Sequence, residues 1–134
     1  MQTKEYKLLL LGEKQIGKTC FLRRLNNTYR LNNNYIPTLG VDVTSIDMNK
    51  ESGKIRLNIW DNAGDIRFRG LKEKYYIGSD LAIIFRNNNN NHLIFENELS
   101  NDIKKLYIDN YNIDHPEYSI NEYKHIIYNI IINN

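Results

Sequence analysis

The chain contains one cysteine, no block of like charge and no long apolar run, and each shortage excludes a class of protein. A lone Cys20 forms no internal disulfide, which suits a reducing compartment, cytoplasmic or nuclear, with the thiol packed on a helix. No apolar stretch approaches the ~18 to 20 residues that cross a bilayer, and Met1 to Tyr6 is too polar for an export signal. The chain ends Ile131-Ile132-Asn133-Asn134, without a cysteine for a prenyl group, so no membrane anchor is expected. The 18 basic and 16 acidic residues are scattered, leaving a net charge of +2 and no stripe to follow a nucleic-acid backbone. A soluble monomer is expected.

What is present is ordinary globular material, 134 residues with 41% apolar and 25% charged side chains. A chain of that length buries roughly two-thirds of its unfolded surface in one core. We therefore read residues 1–134 as one domain, with an informative part over 1–86 and an asparagine-rich start to 87–134. The run Asn87 to Asn91 is low complexity and is treated as surface decoration.

Tyr6 to Leu11 is continuously apolar and ends at Gly12, the pattern of a strand buried on both faces. Gly17 to Leu25 follows with Phe21, Leu22 and Leu25 at helical spacing. Val41 to Met48 and Ile55 to Trp60 read as a hairpin through the polar residues Asn49 to Lys54, with Ile55, Leu57 and Ile59 on the core face. Leu71 to Ile77 is predicted as a short helix and Leu81 to Phe85 as another buried strand. Together these predict an α/β fold. Beyond Phe85, the spacing of Phe95, Leu99, Ile103 and Leu106 predicts a helix over His92 to Tyr107. His125 to Ile132 fits either a terminal strand or the end of a helix beginning near Ser119. Unless Tyr107 to Ile132 covers it, the strand Leu81 to Phe85 becomes an open sheet edge.

Three short motifs carry chemistry. Gly12-Glu13-Lys14-Gln15-Ile16-Gly17-Lys18-Thr19 is a Gly-x4-Gly-Lys-Thr phosphate-binding loop placed between a strand and a helix, as its mechanism requires. Glycines let backbone N–H groups wrap phosphates, Lys18 reaches the β and γ phosphates, and the Thr19 hydroxyl ligates Mg²⁺. Asp61-Asn62-Ala63-Gly64 ends a strand, where a carboxylate holds Mg²⁺ through water and the Gly64 N–H meets a γ-phosphate. In isolation Asp-x-x-Gly marks only a turn; downstream of a phosphate loop it marks a nucleotide site. Between the two lies Tyr35-Ile36-Pro37-Thr38-Leu39-Gly40, in which Thr38 offers a second hydroxyl to Mg²⁺.

The ordered set Gly-x4-Gly-Lys-Thr, Tyr-x-Pro-Thr-x-Gly and Trp-Asp-x-Ala-Gly resembles the Ras superfamily of small GTPases. Asn58-Ile59-Trp60-Asp61, Gly70-Leu71 and Tyr75-Tyr76-Ile77 look most like Ran, and Leu39-Gly40-Val41-Asp42 is shared with Ran and Rab. The resemblance covers about Lys4 to Phe85. It implies the three-layer Ras-like P-loop NTPase fold, incomplete at the C-terminal side, with GTP or GDP and Mg²⁺ as ligands. It also implies a switch in intracellular or nucleocytoplasmic transport, served by exchange factors, activating proteins or effectors through Tyr35–Gly40 and Gly64–Tyr76. The residues it places at nucleotide are Gly12 to Gly17, Lys18, Thr19, Cys20, Tyr35, Thr38, Asp61 and Gly64. An unrelated phosphate-loop kinase or ATPase would account for Gly12 to Thr19 alone, but not for Thr38 or for Trp60-Asp61.

The pattern also departs from that family. Its guanine-reading Asn-Lys-x-Asp and Ser-Ala-Lys segments are missing, and if His125 to Ile132 were the fifth strand, Asn133 would stand at that asparagine. Leu31 holds a position where an aromatic ring often flanks the base. Asp65 replaces the usual water-orienting glutamine, and Lys14 stands where Ran and Ras have glycine, so slow hydrolysis is expected; alternatively the two pair across the site, and Lys14→Gly then lowers stability rather than raising turnover. These departures leave a second reading open, a non-catalytic interaction module that competes for Ran or Rab partners.

Overall fold

A computed structural model describes residues 3–12, 18–26, 33–36, 41–51, 53–61, 75–87, 99–112 and 117–133. Its centre is β1, Thr3–Leu11, in which Leu8, Leu9, Leu10 and Leu11 are all fully buried. Four consecutive buried leucines require cover on both faces, because successive side chains of a strand point in opposite directions. Leu8 and Leu10 enter one apolar cluster, and Leu9 and Leu11 enter another.

The strands that flank β1 are parallel to it: β4, Gly53–Asp61, on one side and β5, Leu81–Arg86, on the other. β3, Val41–Lys50, and β2, Asn33–Ile36, continue the sheet beyond β4 as an antiparallel pair of additions. The predicted hairpin is present with a tighter turn than the polar run suggested, since β3 reaches Lys50 and β4 begins at Gly53, whose φ of 133° suits glycine. Ile55, Leu57 and Ile59 are buried and alternate with half-buried Arg56, Asn58 and Trp60, as their period-two spacing requires. On the outer face of this hairpin Arg56 pairs with Asp47 and Ser45 donates to Asn58.

The first face of the sheet is covered by α1, Lys18–Asn26, and α2, Ile120–Ile132. Phe21, Leu22 and Leu25 of α1 meet Tyr123, Ile127 and Ile131 of α2 in one core with the sheet residues Leu8, Leu10 and Ile83. The second face is covered among the described residues by Tyr75, Leu99 and Ile103. No helix of the described residues is long and apolar enough to cross a membrane.

One expectation is corrected here. The predicted helix His92 to Tyr107 is not continuous, because Lys104–Asp109 is a strand, β6, paired in parallel with β5; residues 92–98 lie outside the described residues. The spacing of Ile103 and Leu106 was compatible with a helix, but Leu106 and Ile108 face the first cluster while Tyr107 faces the second, which is strand alternation. Of the two readings of His125 to Ile132, the helix beginning near Ser119 is the one present, and the outer edge of β5 is paired by β6. The sheet order is β2-β3-β4-β1-β5-β6. Of the predicted helix Leu71 to Ile77, only a single turn at Tyr75 and Tyr76 falls within the described residues.

A local signal explains why α2 starts where it does. The Ser119 side chain accepts from the Glu122 N–H, and the Glu122 carboxylate accepts from the Ser119 N–H, a capping box that satisfies two otherwise orphaned donors. At the other end the Lys104 ammonium donates to the carbonyls of Ile130 and Asn133 at 2.7 and 2.6 Å, tying the helix terminus to the start of β6. Ser119→Ala is expected to lower stability by about 1 kcal/mol in urea unfolding. A loss below a few tenths would mean that the cap does not hold the helix.

Candidate nucleotide site

Parallel strands end together, and here the ends gather the chemistry. Leu10 of β1 lies opposite Asp61 of β4, and Leu11 opposite Ile84 of β5, so Gly12 and Asp61 emerge at the same carboxyl edge of the sheet. In open α/β sheets ligands bind at this edge, where loops leave the strands. Gly12 has a φ of 151°, a conformation that glycine reaches without a Cβ penalty, and it turns the chain out of β1 toward α1.

Lys18 opens α1 and is only 4% exposed, exceptional for a lysine. Its ammonium donates to the Gly12 carbonyl at 2.5 Å. Burial pushes its pKa down to about 8, while the nearby Asp61 carboxylate acts in the opposite direction. Asp61 is itself 7% exposed, so a cation and an anion are held in a poorly hydrated place at the end of β1 and β4.

That donor set fits a phosphate chain with Mg²⁺. A desolvated ammonium is stabilised by a polyanion, and a buried carboxylate beside it suits a divalent cation bound through water. Among the described residues no group of three or more His, Cys, Asp or Glu side chains is assembled to hold a metal by itself. Magnesium in such a site would therefore depend on hydroxyls, phosphate oxygens and water as well as on Asp61.

The other residues singled out in the sequence divide into two groups. Thr19 lies in the first turn of α1, Cys20 follows it half-buried, and Tyr35 is on β2 opposite Asp42. Glu13, Lys14, Gln15, Ile16, Gly17, Thr38, Gly64 and Asp65 lie outside the described residues, and so does any pairing of Lys14 with Asp65.

The structure also draws attention to a residue that the sequence motifs did not single out. Because β6 is the strand beyond β5, the residue that follows it is Asn110 and not Asn133. Asn110 adopts a φ of +47°, which asparagine tolerates better than most residues, and its N–H donates to the Arg86 carbonyl at 2.7 Å. The next residue, Tyr111, stands where the family places lysine. Its ring packs edge-on to Phe21 and Phe85, with centroids 5.7 and 5.9 Å apart. Burial raises the Tyr111 pKa, and a hydrogen bond from Arg24 of α1 opposes the rise. Asp114 comes one residue later than Asn-Lys-x-Asp would put it, outside the described residues. The alternation Leu106, Tyr107, Ile108 ending in Asn110 was the signal that could have located this strand end.

A protein-family model described as "Ras of Complex, Roc, domain of DAPkinase" matches residues 7–113. The match runs from β1 through the phosphate loop, the hairpin, β5 and β6 to just past Asn110. The α/β sheet, Gly12 and Lys18 at its carboxyl edge and this match agree, and the chain belongs to the Roc family as a Ras-like domain that binds guanine nucleotide.

Proposed function

We propose that the domain is a Mg²⁺-dependent GTP switch with slow or partner-dependent hydrolysis to GDP. The observation that carries this reading is the buried Lys18 ammonium, held on the Gly12 carbonyl beside Asp61. In this reading Lys18 donates to the β and γ phosphates, Thr19 and Thr38 offer hydroxyl oxygens to the metal, and the Asp61 carboxylate accepts from metal-bound water. The Gly64 N–H meets the γ-phosphate. When bound, Mg²⁺ neutralises charge on the phosphates. Asn110 takes the place of the family's base-reading asparagine. Asp65, a carboxylate where glutamine is usual, is poorly suited to orient an attacking water near a γ-phosphate, which supports slow turnover.

The Ran-like and Rab-like residues around Trp60 and Tyr75-Tyr76-Ile77 support partners of that type, namely exchange factors, activating proteins or effectors acting through Tyr35–Gly40 and Gly64–Tyr76. A role in intracellular or nucleocytoplasmic transport, by a monomer in cytoplasm or nucleus, is part of the same proposal. A second reading, an interaction module without turnover, is favoured by Tyr111, which replaces lysine after Asn110 and packs its ring on Phe21 and Phe85.

Thermal unfolding with Mg²⁺ and GTPγS, GDP or ATPγS separates the two. Ligand at 100 times Kd adds about 2.7 kcal/mol of stability. The switch reading expects a shift with both guanine nucleotides and little with ATPγS. A folded sample that shifts with none of them leaves the interaction module.

A further inference from the structure

We propose that Lys7 is a positioning residue whose ammonium joins the two ends of segment 61–77, the stretch that begins with Asp61-Asn62-Ala63-Gly64. Lys7 sits on β1 one residue before the buried Leu8, on the opposite face of the strand, and its Nζ lies 3.9 Å from the centroid of the Trp60 ring. The same ammonium donates to the Ile77 carbonyl at 2.9 Å. Trp60 immediately precedes Asp61, and Ile77 follows the turn at Tyr75 and Tyr76. One cation therefore contacts both ends of the segment.

Neutral contacts reinforce the junction. The Tyr75 hydroxyl donates to the Trp60 carbonyl at 2.8 Å, and the two rings meet edge-on with centroids 6.0 Å apart. The Lys7 N–H donates to Asp80 Oδ2 at 2.8 Å, and the Asp80 N–H donates back to the Lys7 carbonyl at the same distance. Gly78, with a φ of +71°, reverses the chain between Ile77 and Asp80. An ordinary surface lysine extends into water. This one is half-buried between an aromatic face and a carbonyl, and burial lowers its pKa to about 8. Among the described residues the charged groups nearby are Asp80 after the turn, and Glu5 and Arg56 on the same face of β1 and β4, themselves 3.9 Å apart.

The consequence is entropic. A segment whose ends are fixed samples fewer conformations, and a backbone donor it carries is delivered to a ligand at a smaller cost in order. Because Gly64 is assigned to the γ-phosphate, Lys7 is expected to support GTP more than GDP. That last step rests on the proposed switch function; the joining of the segment ends does not.

Trypsin and the single tryptophan test the junction without nucleotide. Lys7→Met keeps the stem and removes the cation, whereas Lys7→Arg keeps the cation. Cleavage after Arg67, Arg69, Lys72 and Lys74 is expected to be several-fold faster in Lys7→Met than in the natural protein and to be largely restored in Lys7→Arg. Trp60 emission is expected to titrate with a midpoint near pH 8 in the natural protein, the charged-amine spectrum lying on the acid side, and to lose that transition in Lys7→Met. Unchanged cleavage and an unchanged transition in folded Lys7→Met would overturn the proposal; if that variant does not fold, a Lys7→Arg protein that keeps the natural protein's transition overturns it.

The nucleotide arm compares affinities. Lys7→Met is expected to lose on the order of tenfold for GTPγS with little change for GDP, and an equal loss for both overturns the positioning role. If the natural protein binds neither nucleotide, the switch reading fails, and the trypsin and fluorescence results alone decide whether Lys7 joins the segment ends.

Discussion

Lys18→Met should abolish guanine-nucleotide binding and, at the same time, make the nucleotide-free protein more stable at pH 7. The first effect follows from removing the ammonium that the proposed site offers to the phosphates. The second follows from burial. The folded-state pKa of about 8 lies below the ordinary lysine value of 10.5, so the unfolded chain binds that proton more tightly than the folded one. Below pH 8 the folded state carries the full penalty of a desolvated cation, on the order of 3 kcal/mol at 1.36 kcal/mol per unit. As pH rises from 8 to 10.5 the penalty disappears. Methionine fills a similar volume without charge but removes the attraction between Lys18 and the Asp61 carboxylate, which offsets part of the gain. A net stabilisation of about 1 to 2 kcal/mol at pH 7, shrinking toward pH 10, is expected in urea unfolding. Equal or lower stability of Lys18→Met at pH 7 would show that the amine is not strained by burial and that the site does not store strain for its ligand.

Phe21→Ala is expected to be the most damaging substitution in the core. Phe21 is fully buried on α1, and its ring meets Phe85 at 5.4 Å, Tyr111 at 5.7 Å and Tyr123 at 5.2 Å, each close to edge-on. It therefore joins the helix that carries Lys18 to β5, to the residue after Asn110 and to α2. Removing the ring costs the transfer of its buried surface and leaves a cavity, about 3 to 5 kcal/mol in total. For a domain of this size that lowers Tm by roughly 10 to 20 °C. Phe21→Leu, which retains much of the volume, should lose less than half as much. A cost below about 1.5 kcal/mol for Phe21→Ala would mean that the aromatic cluster does not couple these elements.

The two predictions fall on the same helix for a reason that the sequence already contained. Lys18, Phe21, Leu22 and Leu25 lie within nine residues, and the 3.6-residue period puts the apolar ones on the buried face while leaving Lys18 at the first turn beside Gly12. Local spacing sufficed there, as it did for Leu8 to Leu11 and for Ile55, Leu57 and Ile59. Segment 99–112 was different. Leu99, Ile103 and Leu106 satisfy helical spacing, and the competing strand signal, the short alternation Leu106, Tyr107, Ile108, is too brief to outweigh it locally. For 120–132 the deciding signal was local, the Ser119 and Glu122 capping box, and it outweighs an apolar run that either structure could bury.

The sequence by itself determined the Gly-x4-Gly-Lys-Thr motif between strand and helix, the hairpin and the buried strands on either side of it. Each of these is written in spacings of fewer than about ten residues, where backbone periodicity and glycine conformation act directly. Tertiary structure alone decided that Lys104–Asp109 is a strand, because the open hydrogen-bonding edge of β5 is a partner that lies some twenty residues away in the chain. That pairing puts the strand end at Asn110 and sets Tyr111 against Phe21. The junction of Lys7 with Trp60 and Ile77 is tertiary in the same sense, since its three parts are separated by up to 70 residues and only the sheet register brings them together.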